Sequence, residues 1–197
     1  MKDTGNSSQK RDLSKEKIIS LYIQLAQEIG LNKVSFPRIA EKLEVKTPSL
    51  YNHFKNLDDL KIQTAIYLHQ ELNELLMQEL VGKSNGQALF QYALTYRAFS
   101  KEFFAVYELL NTIPLMQDTK LNEVGAKNNQ ILTKILTSFD LSEEKMIVKS
   151  RSFRSMLHGY ITLNQLGYFQ NPRMDDDQSF NLMIEEFISE ISKSKKD

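Results

Sequence analysis

The sequence predicts an all-α fold: an N-terminal three-helix unit carrying a helix-turn-helix, then a larger helical bundle, about nine helices together. Three observations predict it. Apolar residues recur at helical spacing through nearly every segment, and none sustains the alternation of a strand. Residues 35–56 hold two short, separately capped helices around a tight turn. Residues 57–81 form a long amphipathic stretch that joins this unit to the rest, so the expected domains are 1–56 and 57–197.

The first helix is expected over residues 13–29. Ile18, Leu21, Tyr22, Leu25, Ala26 and Ile29 make one apolar face, and Gly30 ends it. Ser35 is the N-cap of the second helix, Pro37 sits in its first turn, and Ile39, Ala40 and Leu43 line its buried side. Glu44-Val45-Lys46 is long enough only for a turn. Thr47 then reads as an N-cap and Pro48 as the first helical residue, where a missing N–H costs nothing. Two capped helices joined this way form a helix-turn-helix, whose second helix fits the DNA major groove. The next helix begins near Leu57, with Asp58 and Asp59 favouring its dipole, and breaks at Gly82-Lys83-Ser84-Asn85-Gly86.

Beyond that break, residues 87–111 are dense in aromatics and read as two helices split near Ser100-Lys101. Pro114 starts or interrupts the following segment, and Gly125 lies within it. A long helix is expected over 143–169, stopped by Asn171-Pro172. A last one spans 178–193, where Phe180, Met183, Ile184, Phe187, Ile188 and Ile191 repeat the amphipathic spacing.

Composition narrows the function classes. The chain has 197 residues, a formal net charge of zero and no cysteine. Thiolate zinc sites, disulfides and cysteine nucleophiles are excluded, and a reducing cytoplasm suits such a chain. No apolar run reaches transmembrane length, and the polar N-terminus carries no secretory signal pattern, so no membrane partner is expected. Residues 1–60 hold ten Lys and Arg against eight Asp and Glu, a small basic excess. Lys10, Arg11, Lys15 and Lys17 cluster around the first helix, where they can meet phosphates. The three histidines offer no i, i+4 metal pair, and no phosphate loop or nucleophile elbow is present. Nothing implies a cofactor, and no catalytic constellation can be named. Asp175-Asp176-Asp177 reads as a solvated complement to a helix dipole.

On a helical wheel, Leu50 and Phe54 share the buried face of residues 48–54. Asn52 lies opposite between Pro48 and Ser49, and Tyr51 and His53 sit on the borders. Such a short, polar, uncharged face can approach base edges. Asn52 is then the candidate base reader, with Tyr51, His53 and Lys55 in reach of phosphates. The same residues on a helical protein-interaction module would be ordinary solvated side chains.

Residues 13–65 resemble the DNA-binding region of TetR/AcrR transcriptional regulators. The likeness rests on Ile39-Ala40, Ser49-Leu50-Tyr51 and His53-Phe54. Residues 86–190 more loosely resemble a TetR subgroup with a His-Gly signature in its C-terminal domain. Its matching pieces are Ala88-Leu89, Tyr96-Arg97-Ala98-Phe99, Tyr107, Leu157-His158-Gly159-Tyr160, Leu163, Gly167 and Ser179-Phe180. The chain departs from the first pattern at Leu57, where the family usually has a phosphate-contacting lysine, and at Phe36-Pro37, where it often has Thr or Arg. The resemblance implies a cytoplasmic repressor of palindromic DNA, not an enzyme. Its candidate contacts are Ser35, Arg38, Lys46, Thr47, Pro48, Ser49, Tyr51, Asn52, His53 and Lys55. It also implies a homodimer through residues 143–169 and 178–193, and release by a small-molecule effector. The aromatic density of the second half suggests a pocket for a small apolar or amphipathic effector, from Tyr96, Phe99, Phe103, Phe104, Tyr107, Met116 and His158. Arg97 is a further polar group that can orient a ligand there. For each of these residues, plain core packing is the competing reading.

Overall fold

The computed structural model describes residues 13–111 and 117–193. Every regular element among them is helical: seven α-helices and four short 3₁₀ segments. The chain divides into two compact units, Met1–Lys61 and Ile62–Asp197. The division falls inside a helix, a few residues beyond the boundary expected at 56.

In the first unit, α1 spans Lys15–Ile29, and Ser14 caps it by accepting from the Lys17 N–H at 3.3 Å. Gly30 leaves the helix at φ 89, and a 3₁₀ turn, Leu31–Lys33, leads on. Helix α2 spans Phe36–Leu43, with Ser35 at the N-cap position but no side-chain capping bond. Its end is a Schellman turn. Glu44 takes the left-handed position at φ 55, its N–H reaches Glu41 O at 3.1 Å, and the Val45 N–H reaches Ala40 O at 3.0 Å.

The segment expected as a second α-helix is a 3₁₀ helix, Thr47–Asn52. Lys46, not Thr47, is its cap, and no side chain caps it. Ile18, Tyr22, Ile39 and Leu50 are fully buried and Phe54 nearly so, and these form the unit's core.

Helix α3, Leu57–Glu79, is unbroken and crosses from the first unit into the second. Asn56 Oδ1 accepts from the Asp59 N–H, and Asp59 Oδ2 accepts from the Lys55 N–H, both at 2.8 Å. This reciprocal cap fixes where α3 starts after the 3₁₀ segment.

In the second unit, α4 (Asn85–Glu102) is the central element and packs against α5 (Thr119–Leu136), α6 (Glu143–Gln165) and α7 (Asp176–Lys193). Its burial nearly all round, from Ala88 through Tyr92 and Tyr96 to Ser100, is the structural reason for the aromatic density. At Gly86 a Cβ would come within 2.7 Å of Ile188 Cγ2, so a larger residue there would have to displace the Ile188 side chain. A 3₁₀ stretch, Phe104–Asn111, follows α4; Pro114 lies outside the described residues. Asp118 and Ser142 cap α5 and α6 through their side chains. Helix α6 stops at Gln165 rather than 169. Gly167 turns at φ 76, its N–H bonds Asn164 O, and the Tyr168 N–H bonds Leu163 O, a second Schellman closure. Helix α7 begins at Asp176, two residues earlier than expected. None of the described helices is long and apolar enough to cross a membrane.

Candidate functional site

Two places concentrate candidate functional side chains, one in each unit. The first is the face around the 3₁₀ helix Thr47–Asn52. A 3₁₀ helix turns once in about three residues, so residue i+3 eclipses residue i. His53 thus falls toward the same side as the buried Leu50 and is half-buried, while Tyr51 and Asn52 are both exposed. The Phe54 N–H bonds Leu50 O at 3.0 Å, a wider α-type closure that returns Phe54 to the core. The outward pair is therefore Tyr51–Asn52, flanked by exposed Pro48 and half-buried Thr47 and Ser49. Lys46 and Lys55 are exposed at the two ends of the segment, Arg38 is exposed on α2, and Ser35 is half-buried at the start of α2.

The Tyr51 ring is held. Its centroid lies 5.1 Å from that of Phe36, at 69°, an edge-to-face contact. Phe36 is itself buried at the start of α2, so it props Tyr51 instead of facing outward. Lys15 Nζ sits 5.9 Å from the centre of the Phe54 ring, and Lys17 is exposed on α1. Lys10 and Arg11 lie outside the described residues.

The second place is a cavity of about 430 Å³ in the second unit. Its wall is richer in polar side chains than the aromatic density suggested. Tyr96 and His158 line it, as does Tyr92. The Tyr107 hydroxyl bonds His158 Nδ1 at 3.0 Å, and the Tyr96 hydroxyl lies 3.4 Å from His158 Nε2. One imidazole thus ties α6 to α4 and to the 3₁₀ stretch. Burial lowers the His158 pKa to about 4, helped by the nearby Arg154 charge, and pushes the Tyr96 hydroxyl up to about 12. Phe99, Phe103 and Phe104 do not line this cavity. Phe99 and Phe103 pack on each other at 4.5 Å, and Phe104 is exposed. Met116 lies outside the described residues. Arg97 does not reach the cavity either: it is buried against the start of α7, bonded to Asp177 and lying 4.5 Å over the Phe180 ring. The acidic run is accordingly more than solvated surface, since Asp177 is the partner of a buried arginine.

Sequence reasoning missed His69, Asn73, Asn128 and Arg154. Tyr92 donates to Asn128 Oδ1 at 2.7 Å, Asn128 donates to Asn73 Oδ1 at 3.2 Å, and Asn73 donates to Val124 O at 2.9 Å. This buried chain links α4, α5 and α3. His69 lines the cavity, and burial lowers its pKa to about 4 against a smaller opposing pull from the Leu110 backbone. A signal for two of these residues existed. Ala65, Leu68, His69, Leu72, Asn73 and Leu76 share one helical stripe, so His69 and Asn73 are polar groups on a buried face. Among the described residues no group of three or more His, Asp or Glu is placed to hold a metal ion.

Comparison with known proteins adds a family to this geometry. The family described as "Bacterial regulatory proteins, tetR family" matches residues 18–62, and "Tetracyclin repressor-like, C-terminal domain" matches residues 89–187. The chain is similar to the uncharacterized HTH-type transcriptional regulator YobS of Bacillus subtilis (strain 168), with 25% identity over 90% of this chain and 92% of that one. It is also similar to the uncharacterized HTH-type transcriptional regulator Rv0681 of Mycobacterium tuberculosis, with 25% identity over 87% of this chain and 78% of that one. In fold it resembles a Rhodococcus protein of unknown function, with TM-score 0.82 and 14% identity, covering 94% of this chain and all of that one. It also resembles a TetR variant from Acinetobacter baumannii crystallised with minocycline, with TM-score 0.69 and 18% identity, covering 94% and 99%.

Proposed function

The chain belongs to the TetR family of bacterial regulatory proteins, and from that premise we propose that it is a homodimeric repressor that leaves its operator when a small molecule fills the second unit's cavity. Membership makes it a transcriptional regulator with a helix-turn-helix DNA-binding domain, and its relatives are regulators rather than enzymes. The observation that carries the release mechanism is the continuity of α3. One uninterrupted helix runs from Leu57, just past the reading segment, through His69 in the cavity wall to Glu79. A ligand that binds better to one placement of α3 shifts the population of that placement, and with it the spacing of the two reading heads. In this reading Asn52 faces base edges, while Ser35, Arg38, Lys46, Thr47, Pro48, Ser49, Tyr51, His53 and Lys55 form the surrounding contact surface. Such a protein works in the cytoplasm, beside the genome.

The homodimer reading draws support from α6. Val148, Ser152, Ser155, Gly159, Thr162 and Leu166 recur at alternating intervals of four and three, and all are exposed. Small side chains along such a seam let a second helix come close. Gly159 has nothing within 4 Å of where its Cβ would sit, so nothing nearby within the chain requires a glycine there. Helix α7 is assigned to the same interface, with exposed Leu182 as its apolar contribution.

A gel shift with the gene's own upstream DNA tests the DNA half of the reading. Retention as a dimer, at salt that abolishes binding to unrelated DNA, is the expected result. Equal retention of both fragments would sink it.

A further inference from the structure

The ligand-release reading leaves the chemistry of the effector open, and the cavity wall bears on it. Among the described lining residues there is one formal charge, that of Arg154, and no carboxylate. Arg154 is exposed and makes no ion pair among the described residues. Several polar wall groups are already satisfied internally: Tyr92 and Asn128 by the chain to Asn73, Tyr96 and His158 by each other and Tyr107.

His69 is the exception. It is 5% exposed, it lines the cavity, and neither ring nitrogen makes a hydrogen bond of good geometry, although the Leu110 backbone exerts a smaller pull on the ring. Such a buried polar group is costly to leave unmet, and a bound molecule that accepts its N–H would meet it. The amides of Asn122 and Asn129 also face this space. A cation would meet the Arg154 charge unshielded. A metal ion would find one unengaged imidazole, since both nitrogens of His158 are engaged.

Resting on the ligand-release reading, we propose that the effector is a small organic monoanion, its carboxylate held by Arg154 and a second acceptor on the same molecule taking the His69 N–H. A volume of about 430 Å³ suits a whole small molecule rather than the tip of a larger one. An unpaired guanidinium matches a carboxylate in both charge and donor geometry.

The test uses the full-length protein, calorimetry, and three acids paired with their neutral amides: benzoate with benzamide, 1-naphthoate with 1-naphthamide, octanoate with octanamide. At least one acid is expected to bind about tenfold more tightly than its amide. Arg154→Gln, at an exposed position, is expected to fold normally by circular dichroism and lose that preference. His69→Phe is expected to weaken the acid while sparing the acid-over-amide preference. Amides binding as well as acids, a preference that survives Arg154→Gln, or no acid binding at millimolar concentration would each overturn the inference. Operator retention is scored in parallel to separate the two readings. A neutral compound that binds and releases the operator removes the charge assignment and leaves regulated release standing. An acid that binds through Arg154 without releasing the operator removes the release reading and leaves the charge assignment standing.

Discussion

Arg97 Nη1 donates to Asp177 Oδ1 at 2.7 Å, pinning the middle of α4 to the first turn of α7. The pair is asymmetric: Arg97 is buried, and Asp177 is largely exposed. Lys101, bonded to Asp177 at 3.2 Å, and then Arg97 hold the Asp177 carboxyl below its ordinary range. The guanidinium also covers Phe180, so the residue packs as well as pairs. Arg97→Ala is expected to cost about 1–3 kcal/mol, chiefly from the packing lost over Phe180, and Arg97→Met, which refills the volume, less than half of that. Urea titrations of both variants check the order; Met as damaging as Ala would show that charge, not packing, dominates.

The reading face yields a graded prediction. Tyr51→Ala and His53→Ala should weaken operator binding broadly, whereas Asn52→Ala should change which bases are preferred. Phe36→Leu keeps the core filled but removes the ring that props Tyr51. An edge-to-face pair contributes about 0.5–1.5 kcal/mol, so operator affinity should fall about two- to tenfold with little loss of stability. Fluorescence anisotropy on operator and scrambled duplexes measures all four. If Phe36→Leu matches the wild type, Tyr51 does not depend on its prop.

Glu44 occupies a left-handed turn position that costs a side-chain-bearing residue about 1–2 kcal/mol. Stability should therefore rank Glu44→Gly at or above the wild type and Glu44→Val clearly below it. Melting temperatures of the three proteins decide the matter. A valine variant as stable as the glycine variant would mean that the turn relaxes to another geometry.

One buried and one half-buried histidine, His69 and His158, should make the second unit sensitive to acid. His69 and His158 have folded pKa values near 4, against 6.5 for an unperturbed ring. Below pH 6.5 the unfolded chain takes up protons that the folded one refuses, so stability falls as pH drops from 6.5 toward 4 and levels off below that. Above 6.5 both states are neutral and the effect is absent. His158→Gln, which keeps hydrogen-bonding groups for Tyr107 and Tyr96, should flatten the slope. An unchanged slope in a pH series of thermal melts would count against burial as the cause.

Gly159 separates folding from assembly. A glycine in an exposed helix interior costs about 1 kcal/mol relative to alanine, so a larger residue should not harm the isolated helix. Gly159→Leu should keep the helical circular dichroism signal while sedimentation shifts toward monomer. A dimer of unchanged affinity would remove α6 from the proposed interface.

Much of this molecule was legible in one dimension. The order of the helices, Ser35 and Pro37 at the start of α2, the stripe of Ile39 and Ala40, and the buried Leu50 and Phe54 follow from local steric and capping rules that act within a few residues. The 3₁₀ character of residues 47–52 was not legible. Proline at the start suits either helix, and the choice depends on how Leu50 and Phe54 seat in a core drawn from α1 and α2. For the same reason His53 turned out half-buried.

The second unit shows the limit more sharply. Aromatic density marked α4 as buried, but Phe99, Phe103 and Phe104 do not line the cavity, and most of the polar residues that join Tyr92 and Tyr96 there come from α3, α5 and α6. His69 and His158 are 89 residues apart in the chain, and Arg97 and Asp177 are 80 apart. By itself the sequence determined the helical class and the helix-turn-helix, because these depend on period, caps and short spacing. Only the tertiary structure decided that the cavity is polar, that His69 is buried in its wall, and that Arg97 serves α7, because burial and partnership are set by which distant helices pack together.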